Sequence, residues 1–324
     1  MTFISYAQNG EDVVLARAFP ATYRGFYVDV GASDPVVDSV TKHFYDRGWS
    51  GVNIEPATNA LQKLAEARSR DLNLGIGVGQ EAGRVEFFEL PPEMTGCSTL
   101  SPELATEYRS EGWEAHTCEI EIRTLAAIFE EHVGEKTVDF LKIDVEGHEA
   151  AVLIGADFDR FRPRILVIEA TQPGSPIPSH GDWEQSVLRA GYALTLFDGL
   201  NRFYVREEDR DLHDVLSVPV NYFDDCLTTR CETWRRQAER AEKLDHELGV
   251  VWREIGSKDE QLASKNDQLV VANERAGAAE RRGEEIASSL AETRTDLAAS
   301  HAQLRDARTE LAAVRAALAT VLDA

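Results

Sequence analysis

Five short apolar runs within the first 170 residues constrain what this chain can fold into more than any other feature. They are GFYVDVG (25–31), GVNIEP (51–56), LNLGIGVG (72–79), VDFLKIDV (138–145) and RILVIEA (164–170). Each is rich in β-branched or aromatic residues and too short for a buried helix. Helix-like segments lie between them, around 36–48, 57–70, 124–133 and 147–158. Apolar runs alternating with helices predict βαβ units and a parallel sheet covered on both faces. The last element departs from this pattern. YALTLF (192–197), DGLN (198–201) and RFYVRE (202–207) read as strand, turn and strand. Such a hairpin enters the sheet with its last strand antiparallel to its neighbour.

The chain changes character near residue 225. Proline stops after Pro219, and Ala, Glu, Arg and Leu take over. We therefore divide the sequence into an α/β region, 1–225, and a helical tail, 226–324. The tail is heptadic. With position a at Ala241, the a column runs through Leu248, Ile255, Leu262, Leu269, Ala276 and Gly283 to Leu290, Leu297, Leu304, Leu311 and Leu318. The d column includes Leu244, Val251, Lys258, Lys265, Ala272, Ala279, Ile286, Thr293, Ser300, Ala307, Val314 and Val321. A repeat sustained this long without proline predicts a coiled coil. Its leucine seam from Leu290 to Leu318 predicts a homo-oligomer, a dimer held by residues 286–321, with a weaker stretch around Lys258, Lys265 and Gly283.

Bulk properties exclude several classes. The net charge of −23 argues against a nucleic-acid partner, because phosphate binding needs clustered Lys and Arg. No apolar stretch reaches membrane-spanning length. The N-terminal MTFISYAQNGEDVV lacks a basic start and an apolar core, unlike a signal peptide. Cys97, Cys118, Cys226 and Cys231 form no CxxC and no zinc-ligand spacing. They read as reduced thiols of a cytoplasmic protein.

In an open α/β sheet the ligand binds at the carboxyl ends of the strands. The first run ends in Asp29 and Gly31, where a tight turn brings backbone close to a ligand. The second ends in Glu55, 26 residues after Asp29. A carboxylate there is placed to accept hydrogen bonds from ribose hydroxyls. The third passes through small residues, Gly77 and Val78, which leave a flat surface for an adenine ring. A dinucleotide would need the GxGxxG turn. Here Gly31 is followed by Ala32, Ser33, Asp34 and Pro35, and Asp34 opposes a phosphate. The pattern fits a nucleoside cofactor without phosphates and with a positive centre near Asp29 and Asp34. S-adenosylmethionine has that chemistry.

Six blocks carry a resemblance: SYAQNGEDVVL (5–15), GFYVDVGASDPVVDSVTKHFYDRGW (25–49), NIEP (53–56), VDFLKIDVEGHEAAVL (138–153), RPRILVIEA (162–170) and WEQSVLRAGY with FDGLNRFYV (183–205). In this order they resemble the FkbM family of S-adenosylmethionine-dependent methyltransferases, over residues 1 to about 225. The resemblance implies an α/β fold with the seven-stranded class I methyltransferase (Rossmann-like) sheet. It also implies methyl transfer to a hydroxyl of a sugar, glycan or natural product. Such transfer needs a base beside the methyl group, or a divalent metal that acidifies the hydroxyl. Asp144 at the fourth strand end is the first candidate, with Glu169 at the fifth to complete a metal site or orient the acceptor. His148 is the base by ordinary pKa. The rival reading makes Asp144 an N-cap, with Glu146 and Glu149 as first-turn carboxylates of the next helix, and Lys142 a salt-bridged strand residue. Gln8 and Asp12 belong to a segment that covers the methionine end of the cofactor in this fold, though Asp12 also suits a helix cap. The loops 91–103 and 171–183, the latter with His180 and Trp183, read as acceptor-binding. Two alternatives stay open: an inactive methyltransferase-like scaffold, and a NAD-dependent sugar-modifying enzyme.

Overall fold

The computed structural model describes residues 2–274 and 280–322, in two compact units, Met1–Thr229 and Arg230–Ala324. The first holds strands β1 (Phe3–Ser5), β2 (Phe26–Val30), β3 (Ser50–Ile54), β4 (Leu72–Leu74), β5 (Gly77–Val78) and β6 (Gly83–Glu89). It continues through β7 (His116–Arg123), β8 (Phe140–Ile143), β9 (Ile165–Glu169), β10 (Tyr192–Phe197), β11 (Asn201–Arg206) and β12 (Cys226–Thr228).

Seven strands form one mixed sheet in the order β10-β11-β9-β8-β2-β3-β4. From β4 through β9 the pairings are parallel, and β11 pairs antiparallel with both β9 and β10. Both faces are covered. Val28, Val30, Leu141, Ile143 and Ile168 pack into one core, and Tyr27, Phe140, Ile165, Val167 and Phe203 into the other. Two-sided burial is why these strands read as unbroken apolar runs. The chain leaves β2 towards β3 on one side and later returns to β8 on the other. The switch in strand order therefore falls between β2 and β8, where a crevice opens at the strand ends.

Several sequence expectations change. The run 72–79 is two strands: β4 edges the main sheet, while β5 pairs with β7 in a separate sheet ordered β5-β7-β6. The antiparallel β6–β7 pair is absent from the sequence reading because its strands alternate charged and apolar residues, as in RVEFFE and HTCEIEIR. The helix expected over 36–48 forms only at Lys42–Asp46, since Pro35 and the left-handed Asp38 (φ 54°) keep the preceding stretch irregular. The helix expected over 147–158 is confined to Glu149–Ile154, because Glu146 (φ 53°) and Gly147 (φ 95°) hold the chain in a turn.

Strand β12 pairs parallel with β1. Residues 226–228, which the sequence division assigned to the tail, thus belong to the α/β unit. Asp12 fastens this small sheet. It is fully buried and accepts hydrogen bonds from the Ser5 hydroxyl (2.6 Å) and the Tyr6 N–H (2.8 Å). Arg17 adds an ion pair with Asp224 at 2.6 Å.

The second unit contains two long helices, Thr229–Glu274 and Glu280–Leu322. They run antiparallel: Arg240 meets Glu310, Arg315 meets Asp245, and Lys258 meets Ser300. The seam assigned to a second chain is covered within this one. Leu304 and Leu311 pack with Leu244, Leu248 and Ile255. The lysines that weaken the d column face polar d positions of the opposite helix. Lys265 donates to Thr293 at 3.0 Å and Lys258 to Ser300 at 3.5 Å. Polar layers that match only in one alignment fix the register of the pair. Ala276 and Ala279 lie outside the described residues, as do the side chains of Ala272, Gly283 and Val321.

Candidate active site

At the carboxyl ends of β2, β3 and β8 lies a cavity of about 470 Å³. Gly31, Ala32 and Ser33 from the turn after β2 form one wall, with Glu55 at the tip of β3 and Gly77 and Val78 of β5 beside it. Glu55 is only 6 % exposed. Its two carboxylate oxygens accept hydrogen bonds from the Ser33 and Ala57 N–H groups, each at 2.8 Å. A carboxylate has about four acceptor positions, so two remain for a ligand. Ile54, Ala60, Phe87 and Ile120 make the surrounding surface apolar.

Asp144, Glu146 and His148 line the cavity at the other end, and Lys142 reaches it from within β8. The Lys142 ammonium donates to the Gly31 carbonyl (3.0 Å) and sits 3.2 Å from Asp144 and 3.7 Å from Asp29. Burial works against its charge, but Asp144 and Asp29 outweigh that and hold it above its ordinary pKa. Asp144 is not a helix cap. The next helix begins at Glu149, His148 is its N-cap residue, and Glu149 instead accepts from the Val145 and Gly147 N–H groups at 3.1 Å. Glu146 lies outside the helix, in left-handed backbone. Burial lowers the His148 pKa, and its Nδ1 is buried without a hydrogen bond. Glu169 is not part of the lining. It stands nearby, 8 % exposed, with Oε2 unpartnered, and burial together with Asp144 and Glu146 raises its pKa strongly.

The positive-centre role expected for two aspartates does not fit. Asp29 is 1 % exposed and off the cavity, where it accepts from the Thr41 hydroxyl at 3.1 Å. Asp34 lines the cavity but is spent on the Val36 and Val37 N–H groups and on Lys63 at 2.9 Å. Gln8 reaches the lining; Asp12 does not. Of the two loops, 91–103 contributes Pro92 and residues 95–100, and 171–183 contributes nothing. Trp183 is instead buried in the core near Tyr204. Lys142 and Glu146 are the residues that sequence reasoning undervalued. The signal for Lys142 was a lone cation inside an apolar strand. Among the described residues no cluster of three His, Cys, Asp or Glu side chains is arranged to hold a metal ion.

The buried carboxyls set a pH dependence. Burial pushes Glu11 and Glu55 up to about 7 and Asp12 up to about 6. Their folded pKa values exceed the unfolded ones, so the folded state binds more protons between about pH 4 and 7. Its stability is then greatest below that window and falls as pH rises through it. Each group contributes on the order of 1–3 kcal/mol. Melting temperatures without ligand are therefore expected to drop from pH 5 to pH 8; a rise across that range contradicts the assignment.

A seven-stranded α/β sheet with a nucleoside-sized cavity at its switch point, a carboxylate on β3 and acids at β8 is the arrangement of a methyltransferase domain. The sequence bears this out directly. The model of the methyltransferase FkbM domain matches residues 29–194, just over half of the 324 residues, and the chain belongs to the FkbM methyltransferase family. No curated protein matches it.

Proposed function

We propose that the protein is an S-adenosylmethionine-dependent O-methyltransferase acting on a hydroxyl of a sugar, glycan or natural product. The observation that carries this is that Glu55 and Asp144 line one cavity, each following a strand that flanks β2, with Gly77 and Val78 alongside. Glu55 would hold the ribose hydroxyls, the apolar wall the adenine, and Gln8 the methionine end. Bound there, S-adenosylmethionine supplies an electrophilic methyl group on a sulfonium leaving group. Asp144 accepts the acceptor's hydroxyl proton as the oxygen–methyl bond forms and the sulfur–methyl bond breaks. Lys142 holds the Asp144 carboxylate in place through their 3.2 Å pair. His148, whose pKa burial lowers, lines the same cavity as a second proton acceptor.

Titration calorimetry with S-adenosylmethionine and S-adenosylhomocysteine tests the reading. Both are expected to bind, and Glu55→Ala is expected to weaken them by roughly 1.5–3 kcal/mol for each charge-assisted hydrogen bond removed. Unchanged affinity takes Glu55 out of the site. No binding to the wild type leaves the scaffold alternative, and binding of NAD in its place the dehydrogenase one.

The same reading extends to the rest of the chain. We place it in the cytoplasm, reading Cys97, Cys118, Cys226 and Cys231 as reduced thiols from their spacing, which has neither CxxC nor zinc-ligand pattern. Among the described residues no helix is long and apolar enough to cross a membrane. We read the tail as an intramolecular antiparallel coiled coil. Because its leucines are covered by the same chain, the drive to recruit a second copy is removed. Light scattering at micromolar concentration is expected to return the monomer mass; a dimer would mean that the seam opens and pairs between chains.

A further inference from the structure

The Asp144 end of the cavity holds more acid than its own cations answer. Asp144 and Glu146 line it, and Glu169 and Glu149 stand behind. Lys142 is the one cation lining that end among the described residues, and it is engaged by Asp29, Asp144 and the Gly31 carbonyl. Lys63, at the other end, is held by Asp34. Glu149 is spent on two backbone N–H groups. Two carboxyls are left over. Glu146 makes no hydrogen bond or ion pair through its side chain among the described residues, and its left-handed backbone (φ 53°) holds it at the cavity wall. Glu169 is over nine-tenths buried and stands against Asp144 behind the lining.

These acids are not arranged to close on a metal ion. Burial and the neighbouring acids push Glu146 and Glu169 well above the ordinary carboxyl range, so without a cation beside them they hold protons. A cation at the Glu146 wall takes the place of such a proton, and an ammonium suits it, since it carries three donors on one compact charge and accepts ligands from scattered directions. A phosphate or carboxylate placed beside Asp144 and Glu146 meets like charge at short range in a poorly solvated site. The loop 91–101 closes the same end. Cys97 faces Glu146 there, and burial followed by Glu146 pushes its thiol up to about 11. The acid is thus roofed by a neutral sulfur.

We propose that this end of the cavity takes an acceptor with a protonated amine close to its reactive hydroxyl, in the manner of an amino sugar, and rejects acceptors that carry an anionic group there. The proposal rests on the methyl-transfer reading, so the experiment separates the two. The full-length protein is saturated with S-adenosylhomocysteine and titrated with glucosamine, glucose and glucose 6-phosphate. Glucosamine is expected to bind about tenfold or more tighter than glucose, the effect of one charge-assisted hydrogen bond, and glucose 6-phosphate the weakest. Glu146→Gln, which keeps the shape of the side chain, is expected to bring glucosamine to the level of glucose while S-adenosylhomocysteine still titrates. Equal affinities, a preference for the phosphate, no binding of any sugar at millimolar concentration, or an amine preference that survives Glu146→Gln overturns the proposal. Failure of S-adenosylhomocysteine to bind overturns the methyl-transfer reading first.

Discussion

Asp144→Asn is expected to lower turnover by roughly two to four powers of ten while melting temperature and cofactor affinity stay near wild type. The amide has the shape of the carboxylate but cannot take the acceptor's proton. The structure removes the competing explanation for such a loss. Asp144 caps no helix, and its backbone N–H is already bonded to the Val30 carbonyl at 3.0 Å. Lys142 keeps Asp29 and the Gly31 carbonyl as partners in the variant, so no buried cation is stranded. Steady-state kinetics with the physiological acceptor, beside calorimetry with S-adenosylhomocysteine, separates chemistry from binding. Activity within about tenfold of wild type would transfer the base role to His148. Adding EDTA to the wild type tests a divalent metal independently.

Gly31→Ala is expected to be the most damaging small substitution in the α/β unit. A Cβ at this position falls 1.7 Å from the Asp144 carbonyl oxygen, a backbone atom that cannot swing aside. The residue also has φ 80°, where an L side chain costs about 1–2 kcal/mol. Overpacking adds about 1–3 kcal/mol. Together these predict a melting temperature lowered by about 6 °C or more, with cofactor affinity lost because Ser33 and the Glu55 bond lie two residues on. A variant that melts like wild type would show that the turn after β8 moves freely away from β2. The glycine is therefore required by the approach of another strand end. The sequence reading had given the cofactor as the reason.

The sequence determined the parts of this protein that depend on local pattern. Runs such as FYVDV and FLKI read as strands because both faces of the sheet are buried, so they are apolar on both sides apart from Asp29 and Lys142, which pair with each other. Gly31, Ser33 and Glu55 were legible as cavity residues because a strand tip is followed by its turn within a few residues. The heptads read as helix because the period of 3.5 is written in the leucines themselves.

Tertiary structure decided what depends on which residues meet. Asp29 looked like a ligand for the cofactor's positive centre, but the parallel ladder places it level with Lys142 of β8, which is 113 positions later. Asp34 is neutralised by Lys63, one helix further along the chain. Glu146 read as a first-turn carboxylate, and only the left-handed turn at 146–147 keeps it out of the helix and at the cavity wall. The antiparallel β6–β7 pair escaped because one exposed face halves the apolar signal of a strand. A heptad seam records that a helix must be covered and carries nothing about whose helix covers it. Here the Lys265–Thr293 and Lys258–Ser300 layers answer that only once the chain has folded back, because a polar residue in a seam stabilises whichever alignment supplies its partner.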